Sequence, residues 1–257
     1  MSAFETRRIT REDGAVDPDA VAVEEPLEVR VEGRSVAVTM RTPGHDRELA
    51  AGFLLTEGVL DGADDLLALE PIGTTGNVVE CRLAAGVDAH REALERATRE
   101  LYATSSCGIC GKASIDRIHI LSSTPVHPIV LDAAFVHGLP AALRSSQQGF
   151  HATGGLHGAA LVRLDGTVEV VREDVGRHNA VDKVLGWRLL ADRVPVTDAV
   201  LVVSSRAGFE IVQKARVAGV GAVVALGAAT SLAIDLARES GIRLYGFVTA
   251  ERFNQYA

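Results

Sequence analysis

The spacing of apolar residues in the first half of the chain predicts a mixture of strands and helices. Residues 28–32 and 35–40 alternate between apolar and polar on either side of a glycine, which is typical of a two-stranded β-hairpin. Leucine and phenylalanine recur at helical spacing from residue 46 to about residue 57, and charge pairs recur at helical spacing over residues 88–102. Between these two predicted helices, residues 77–83 are predicted to form a further strand.

The second half of the chain has a more regular pattern. Residues 159–164 and 168–171 flank an Asp-Gly dipeptide, which is typical of a tight hairpin turn. Continuous apolar runs follow over residues 199–203, 221–226 and 244–248, and helical segments separate them. Such an alternation is typical of a parallel sheet that is buried on both faces, so the pattern predicts an α/β architecture.

These patterns divide the chain into three parts. We expect residues 1–20, which carry charges without periodicity, to be a disordered tail. Residues 21–119 are predicted to form a smaller α+β part that ends in a loop with two cysteines, and residues 120–257 are predicted to form the α/β core domain.

Composition and charge exclude several classes of protein. Of the 257 residues, 47% are hydrophobic and 23% are charged, as in globular chains rather than disordered, collagenous or coiled-coil ones. The 26 basic and 34 acidic residues give a net charge of −8, so binding to duplex nucleic acid without regard to sequence is not expected. The sequence has no apolar stretch long enough to cross a membrane and no signal-peptide pattern, so we expect a cytoplasmic protein without a membrane partner.

The three cysteines are the most informative residues for chemistry. Their odd number excludes a complete disulfide framework. Cys107 and Cys110 are separated by two residues in a glycine-bracketed turn, and nearby N–H groups and Lys112 favour the thiolate. A nucleophile that carries sulfur as a persulfide is one interpretation, and a redox pair, a structural zinc site or inert buried thiols are the alternatives. Cys81 is expected to be a buried strand residue.

A zinc-dependent deaminase is a further alternative. Such enzymes carry H-x-E before P-C-x-x-C, and in this chain His90 and Glu92, separated by one residue, precede Cys107 and Cys110. Ser106 stands where the proline is expected, and the segment around residue 90 has the charge pattern of a solvated helix. Both observations count against this function.

Polar loops follow successive predicted strands of the second half. Arg177 and His178 fall in the first turn of a helix, where positive charge opposes the helix dipole, so a bound anion or a nearby carboxylate is expected to offset them. Ser204 and Arg206 follow the next strand, and residues 227–231 follow the one after it. Because the carboxyl ends of parallel strands share one edge of a sheet, a ligand that carries phosphate is expected there.

Taken together and in order, these segments resemble the FdhD family of formate dehydrogenase accessory sulfurtransferases. The resemblance extends from about residue 25 to residue 256. It is carried by Glu25-Pro-Leu, Arg41-Thr-Pro-Gly, Leu49-Ala-Ala-Gly-Phe-Leu-Leu-Thr-Glu-Gly58, Cys107-Gly-Ile-Cys-Gly111, Thr153-Gly-Gly-Leu-His157, Glu173-Asp-Val-Gly-Arg-His-Asn-Ala180, the segment from Ser204 to Ala215, and Arg252-Phe-Asn-Gln-Tyr256.

The resemblance implies a sulfurtransferase. Members of the family accept sulfur from a cysteine desulfurase as a cysteine persulfide and pass it to the molybdenum (or tungsten) bis(guanine dinucleotide) cofactor before that cofactor enters formate dehydrogenase. Cys107 would carry the persulfide and Cys110 would assist it. The resemblance also implies a cytidine-deaminase-like core, a homodimer and no tightly bound metal of the protein's own. A non-catalytic chaperone that binds the cofactor is the remaining alternative.

The cofactor site is expected to combine the end of the C-terminal strand, which the resemblance indicates, with the polar loops. The glycine-rich segment 153–158 joins this set because its glycines permit close backbone approach to a ligand. Three positions, Ser205, Ala229 and Thr249, depart from the glycine, proline and arginine that the family usually has there, and the last shifts the expected phosphate contact to Arg252. The expected cofactor-binding residues are Phe247, Val248, Thr249, Ala250, Glu251, Arg252, Arg206, Ser204, His178, Arg177, Gly155 and His157.

Overall fold

Within residues 2–74, 76–104 and 124–257, which the computed structural model describes, the strands form three β-sheets. These are a two-stranded sheet, a four-stranded sheet and a six-stranded sheet. The two cysteines of the predicted loop fall between residues 105 and 123, outside the described residues, and so does the boundary predicted near residue 120. None of the helices in the described ranges has the length and apolar character that crossing a membrane requires.

The N-terminal residues form a hairpin rather than the disordered tail expected from the sequence. Strand β1 (Phe4–Thr10) pairs antiparallel with β2 (Val16–Ala22) along its whole length. The prediction over residues 1–20 was wrong because cross-strand pairing, not a buried apolar face, holds this segment together. An ion pair of 2.6 Å between Arg11 and Asp17 closes its turn, and its last residue lies close to Gly155.

The four-stranded sheet has the order β4-β3-β6-β5, in which only β3 and β6 are parallel. Its first two strands confirm the predicted hairpin. Helix α1 also agrees with its prediction, whereas the helix predicted from residue 88 begins at Arg91, after a separate short helix. The elements of this part are β3 (Glu25–Val31), β4 (Arg34–Arg41), α1 (Asp46–Thr56), a 3₁₀ turn (Ala63–Asp65), β5 (Leu66–Ile72), β6 (Val78–Leu83), α2 (Gly86–Ala89) and α3 (Arg91–Thr104).

The six-stranded sheet has the order β12-β11-β10-β9-β7-β8. Strands β9, β10 and β11 are parallel, as the sequence predicts, and β7, β8 and β12 are antiparallel to their neighbours. The elements are α4 (Ala133–Arg144), α5 (Gln148–Thr153), β7 (His157–Arg163), β8 (Val168–Asp174), α6 (Arg177–Leu190), β9 (Ala199–Val203), α7 (Phe209–Val217), β10 (Ala222–Ala225), α8 (Ser231–Ser240), β11 (Arg243–Gly246) and β12 (Asn254–Gln255).

Alternate residues of the six-stranded sheet enter two separate apolar clusters. Val200 and Val202 of β9 pack toward α4, whereas Leu201 and Val203 face the side of α6, α7 and α8. The cluster that contains Leu201 and Val203 continues through α1 into the four-stranded sheet. Helices α1 and α6 therefore form a layer between the two larger sheets.

Glycines bring α1 and α6 into backbone contact. A Cβ atom at Gly52 of α1 would overlap the carbonyl oxygen of Asp182 in α6, and one at Gly186 of α6 would overlap the carbonyl oxygen of Glu48 in α1. Since each helix meets the backbone of the other at a residue without a side chain, their separation is fixed by main-chain atoms.

We expect Gly52→Ala to lower the free energy of unfolding by about 3 kcal/mol or more, because its methyl group must push the two backbones apart. Urea unfolding monitored by circular dichroism measures the change. Gly138→Ala in α4 is the matched control, since a Cβ there meets nothing within 4 Å and alanine should stabilise the helix interior by up to about 1 kcal/mol. A loss below about 1 kcal/mol for Gly52→Ala would contradict the close crossing.

Candidate functional site

The loops that follow β9, β10 and β11 lie together at one edge of the six-stranded sheet, as predicted. Their backbones are hydrogen-bonded to one another: the N–H of Gly227 donates to the carbonyl of Ser205 (3.1 Å), and the N–H of Phe247 donates to the carbonyl of Gly227 (2.9 Å). Ala207 and Ala229 add a parallel bridge between the first two loops. The three loops therefore form one continuous backbone layer, which we call the edge layer.

Ser204 joins this edge layer to the beginning of β7. Its hydroxyl oxygen accepts a hydrogen bond from the N–H of Gly158 (2.9 Å), and its own N–H donates to the carbonyl of Gly158 (2.9 Å). Ser205 is buried, and its hydroxyl donates to the carbonyl of Arg206 (3.1 Å). The Arg206 side chain is exposed and thus accessible at the edge.

Gln147 is a buried polar residue at this edge that the sequence analysis missed. Its side chain is fully buried, and neither polar atom of its amide has a hydrogen-bond partner among the described residues. A Cβ atom at Gly158 would lie 2.5 Å from the Gln147 amide nitrogen. The glycine therefore makes room for the amide, and that glycine is the one sign in the sequence of a close neighbour. Gly155, in contrast, lies against Ala22 of the hairpin.

The C-terminal segment begins with a strained residue. Phe247 has a φ of 52°, in the left-handed region, and its side chain is 46% exposed. Thr249 then closes a turn: its N–H donates to the carbonyl of Arg252 (2.9 Å), and its hydroxyl accepts from the N–H groups of Glu251 (3.2 Å) and Arg252 (3.1 Å). Thr249 thus shapes the turn from within, while the side chains of Ala250, Glu251 and Arg252 are exposed around it.

A cluster of charged residues lies where α6 and α7 begin. Nε2 of His178 is 2.6 Å from a carboxylate oxygen of Glu210, and Arg177 reaches the same oxygen at 4.0 Å. This contact with His178 lowers the pKa of Glu210, and the charge of Arg177 adds to it. Burial, followed by the charges of Arg177 and His178, lowers the pKa of His157. The sequence predicted an anion or a carboxylate beside Arg177 and His178, and the structure provides the carboxylate.

A buried ion pair below this cluster fixes the start of α6. Lys183 lies 2.7 Å from Asp174, and both side chains are at most 1% exposed. Lys183 also donates to the carbonyl of Thr42 (2.9 Å), and Asp174 accepts from the N–H of Thr42 (3.2 Å) and of Gly176 (2.8 Å). The turn after β4 is therefore tied to the residue before Arg177, so the four-stranded sheet supports the cationic cluster.

Comparison with known proteins shows the family of the chain. A model of the FdhD/NarQ family matches residues 22–257. The chain belongs to the FdhD/NarQ family. Proteins named "Sulfur carrier protein FdhD" are similar to it over almost their whole length. The protein of Mycolicibacterium paratuberculosis is 47% identical over 268 residues, which cover 100% of this chain and 97% of that protein. The one from Corynebacterium efficiens is 47% identical (93% of this chain, 90% of that protein), and the one from Streptomyces coelicolor is 46% identical (98% and 93%).

A solved structure shares the fold. It is a crystal structure described as that of a formate dehydrogenase accessory protein from Desulfotalea psychrophila, with a TM-score of 0.76 and 22% sequence identity. The match covers 98% of this chain and 95% of the other. The mixed α/β architecture predicted from the sequence is thus shared with a protein of distant sequence.

The cysteines separate into two groups. Cys81 lies in β6 with no exposed surface and is a free thiol. Burial, with the charges of Glu32 and Glu80, raises its pKa to about 12, so it is not a nucleophile near neutral pH. This confirms the expectation of a buried strand cysteine. Cys107 and Cys110, for which the family resemblance implies the sulfur chemistry, lie outside the described residues.

The residues of the zinc alternative are in part described. His90 follows α2, and Glu92 is exposed in the first turn of α3. Nε2 of His90 is buried and has no hydrogen-bond partner within the described ranges. In those same ranges, no group of three or more His, Cys, Asp or Glu side chains is placed to hold a metal ion. The two cysteines that this alternative also needs fall outside those ranges.

We expect iodoacetamide at about pH 8 to leave Cys81 unmodified in the folded protein, because its thiol is buried and its pKa of about 12 keeps it protonated. The same reagent should modify Cys81 in guanidinium chloride. Peptide mass spectrometry measures the modified fraction, and Cys81→Ala identifies the peptide. Equal rates of modification in the folded and unfolded protein would contradict the buried position.

Proposed function

We propose that this protein is a sulfur carrier with sulfurtransferase activity that serves formate dehydrogenase. Cys107 accepts sulfur from a cysteine desulfurase as a persulfide, and the sulfur passes to the molybdenum bis(guanine dinucleotide) cofactor, which is the substrate. Membership of the FdhD/NarQ family and the relatives named as sulfur carriers support the first part of this proposal.

The loading step needs a thiolate on a loop that can reach another protein. The Cys107 thiolate attacks the terminal sulfur of the desulfurase persulfide, so that a new S–S bond forms and the desulfurase cysteine leaves as a thiolate. Gly108 and Gly111 each follow one of the two cysteines, and Lys112 adds positive charge that favours the thiolate. We propose that Cys110 assists in holding or relaying the sulfur.

The observation that carries the nucleotide part of the proposal is the edge layer itself. Helices α6, α7 and α8 begin at this edge after Gly176, Gly208 and Thr230, and none of these three residues caps its helix with a side-chain hydrogen bond. N–H groups of the first turns are therefore available to phosphate oxygens. Arg206 and Arg252 have exposed side chains on loops of the same edge layer, which suits a dinucleotide with several phosphates.

Three further points belong to this proposal. The mixed sheet with α4 on one face and α6 to α8 on the other supports a cytidine-deaminase-like core. We expect the protein to act as a homodimer, as the family resemblance implies. We place the reaction in the cytoplasm, because a thiol that carries sulfur requires a reducing compartment.

We expect Cys107→Ala to abolish sulfur loading, because the variant lacks the attacking thiolate. Incubation with a cysteine desulfurase and cysteine should add the mass of one sulfur atom to the Cys107 peptide of the wild-type protein, as measured by intact and peptide mass spectrometry. Cys81→Ala is the control and should load normally, since that thiol is buried and protonated. A strain complemented with Cys107→Ala should lose formate dehydrogenase activity, whereas a strain complemented with Cys81→Ala should keep it.

Other results would favour the alternatives. One zinc per chain by elemental analysis, lost in Cys110→Ser, would support the deaminase-like site. Normal cofactor maturation by a variant that lacks both loop cysteines would support a chaperone without catalytic function.

We expect Arg206→Ala to weaken GDP binding about tenfold, because a lost charge-assisted hydrogen bond to phosphate costs about 1.5 kcal/mol. Isothermal titration calorimetry measures the dissociation constant. Arg82→Ala, which removes the same charge from an exposed position in β6, is the control and should bind GDP as the wild type does. An unchanged affinity for Arg206→Ala would remove this loop from the site.

A further inference from the structure

We propose that the Glu210 carboxylate is an internal competitor for phosphate at the cationic cluster, so that a phosphate group of the nucleotide displaces it from His178 and Arg177. This inference rests on the proposed binding of a guanine nucleotide at the edge of the six-stranded sheet. It adds a residue that the sequence analysis did not include in the site, and it gives that residue a regulatory role.

The first step of the argument is position. Arg177 and His178 are the first two residues of α6, and Glu210 is the second residue of α7, so all three side chains lie at the N-terminal ends of two neighbouring helices. Positive side chains are unfavourable there, because the N-terminal end of a helix already carries partial positive charge. The Glu210 oxygen, 2.6 Å from His178 and 4.0 Å from Arg177, therefore stands where an anion is most stabilised.

The second step is the quality of the contact. Although Nε2 of His178 lies only 2.6 Å from Glu210, the buried nitrogen lacks a hydrogen-bond partner with correct direction among the described residues. The carboxylate thus lies beside this ring nitrogen without making a well-directed hydrogen bond to it. A phosphate offers oxygens in several directions and more negative charge, so it can satisfy this donor more fully than the carboxylate does.

The third step is access. The side chains of Glu210 and Arg177 are 41% and 40% exposed, and that of His178 is 31% exposed, so a ligand can reach the cluster and Glu210 can swing away. The neighbouring carboxylates are held elsewhere: Asp174 by Lys183, and Asp182 by Lys214. Among the described residues, Glu210 is therefore the carboxylate that can be exchanged for a ligand.

The exchange has a simple consequence for nucleotide binding. The cluster holds a carboxylate when no ligand is bound. The net binding free energy of phosphate is therefore only the difference between its interaction with the cluster and that of the carboxylate. Affinity for the phosphate group is thereby moderated, and the cluster regains the Glu210 carboxylate when the nucleotide leaves. A carrier that must pass its cofactor to another protein requires such moderate affinity.

The test compares Glu210→Gln with the wild type by isothermal titration calorimetry, with GDP, inorganic pyrophosphate and guanosine as three separate ligands. We expect Glu210→Gln to bind GDP and pyrophosphate about tenfold more tightly, since the internal competitor is neutral in the variant. Guanosine, which carries no phosphate, should bind both proteins equally. Glu12→Gln in the N-terminal hairpin removes the same charge at an exposed position and should bind all three as the wild type does.

The outcomes separate this inference from the proposed function. If the wild type binds GDP and Glu210→Gln binds it equally or more weakly, Glu210 is no competitor and the inference is wrong, while the nucleotide site stands. If pyrophosphate binding tightens as expected but neither protein binds GDP more tightly than pyrophosphate, the inference stands and guanine recognition fails. If neither anion binds either protein, the cluster is not an anion site and the inference is overturned.

Discussion

The close crossing of α1 and α6 determines where Arg177, His178 and Glu210 lie. At Gly52 and Gly186 the two helices meet backbone to backbone, so neither can slide or rotate without a collision of main-chain atoms. Helix α6 carries Arg177 and His178 at its beginning, and Asp182, in the middle of the same contact, is bound to Lys214 of α7 at 2.9 Å. The crossing therefore sets the direction of α6 and, through this ion pair, the place of α7 and Glu210.

Two buried cations lie beside the turn after β4, and one of them, Lys183, joins the two larger sheets. Arg41 is fully buried between Glu25 and Asp46, whereas Lys183 is bound to Asp174 and to the backbone after β4. Loss of one partner of such a pair costs about 3–5 kcal/mol, although the intact pair adds little net stability because both charges are desolvated. The pair of Lys183 and Asp174 therefore specifies how the two sheets are placed more than it stabilises them, and it holds the turn at Thr42 beside the start of α6.

Local pattern was enough to predict the elements that are regular in sequence, and it failed where distant residues decide the structure. The apolar runs that end at residues 203, 226 and 248 gave the three neighbouring loops, since parallel strands present their carboxyl ends at one edge. The hydrogen bond between Thr42 and Asp174 joins residues 132 apart, so no local pattern indicates it. The opposition of Arg177 and His178 to the helix dipole predicted a nearby anion but not its identity, because Glu210 belongs to a different helix.

The hydrogen bonds of the edge layer run between main-chain atoms, and this has a consequence for evolution within the family. Positions such as Ser205 and Ala229 can change their side chains while main-chain groups keep the spacing of the loops, because the bonds around Ala229 run through Ala228 and Thr230. Other side chains at these two positions are therefore compatible with an unchanged scaffold. Changes of side chain in the edge layer can therefore alter which ligand groups are contacted while the fold stays the same.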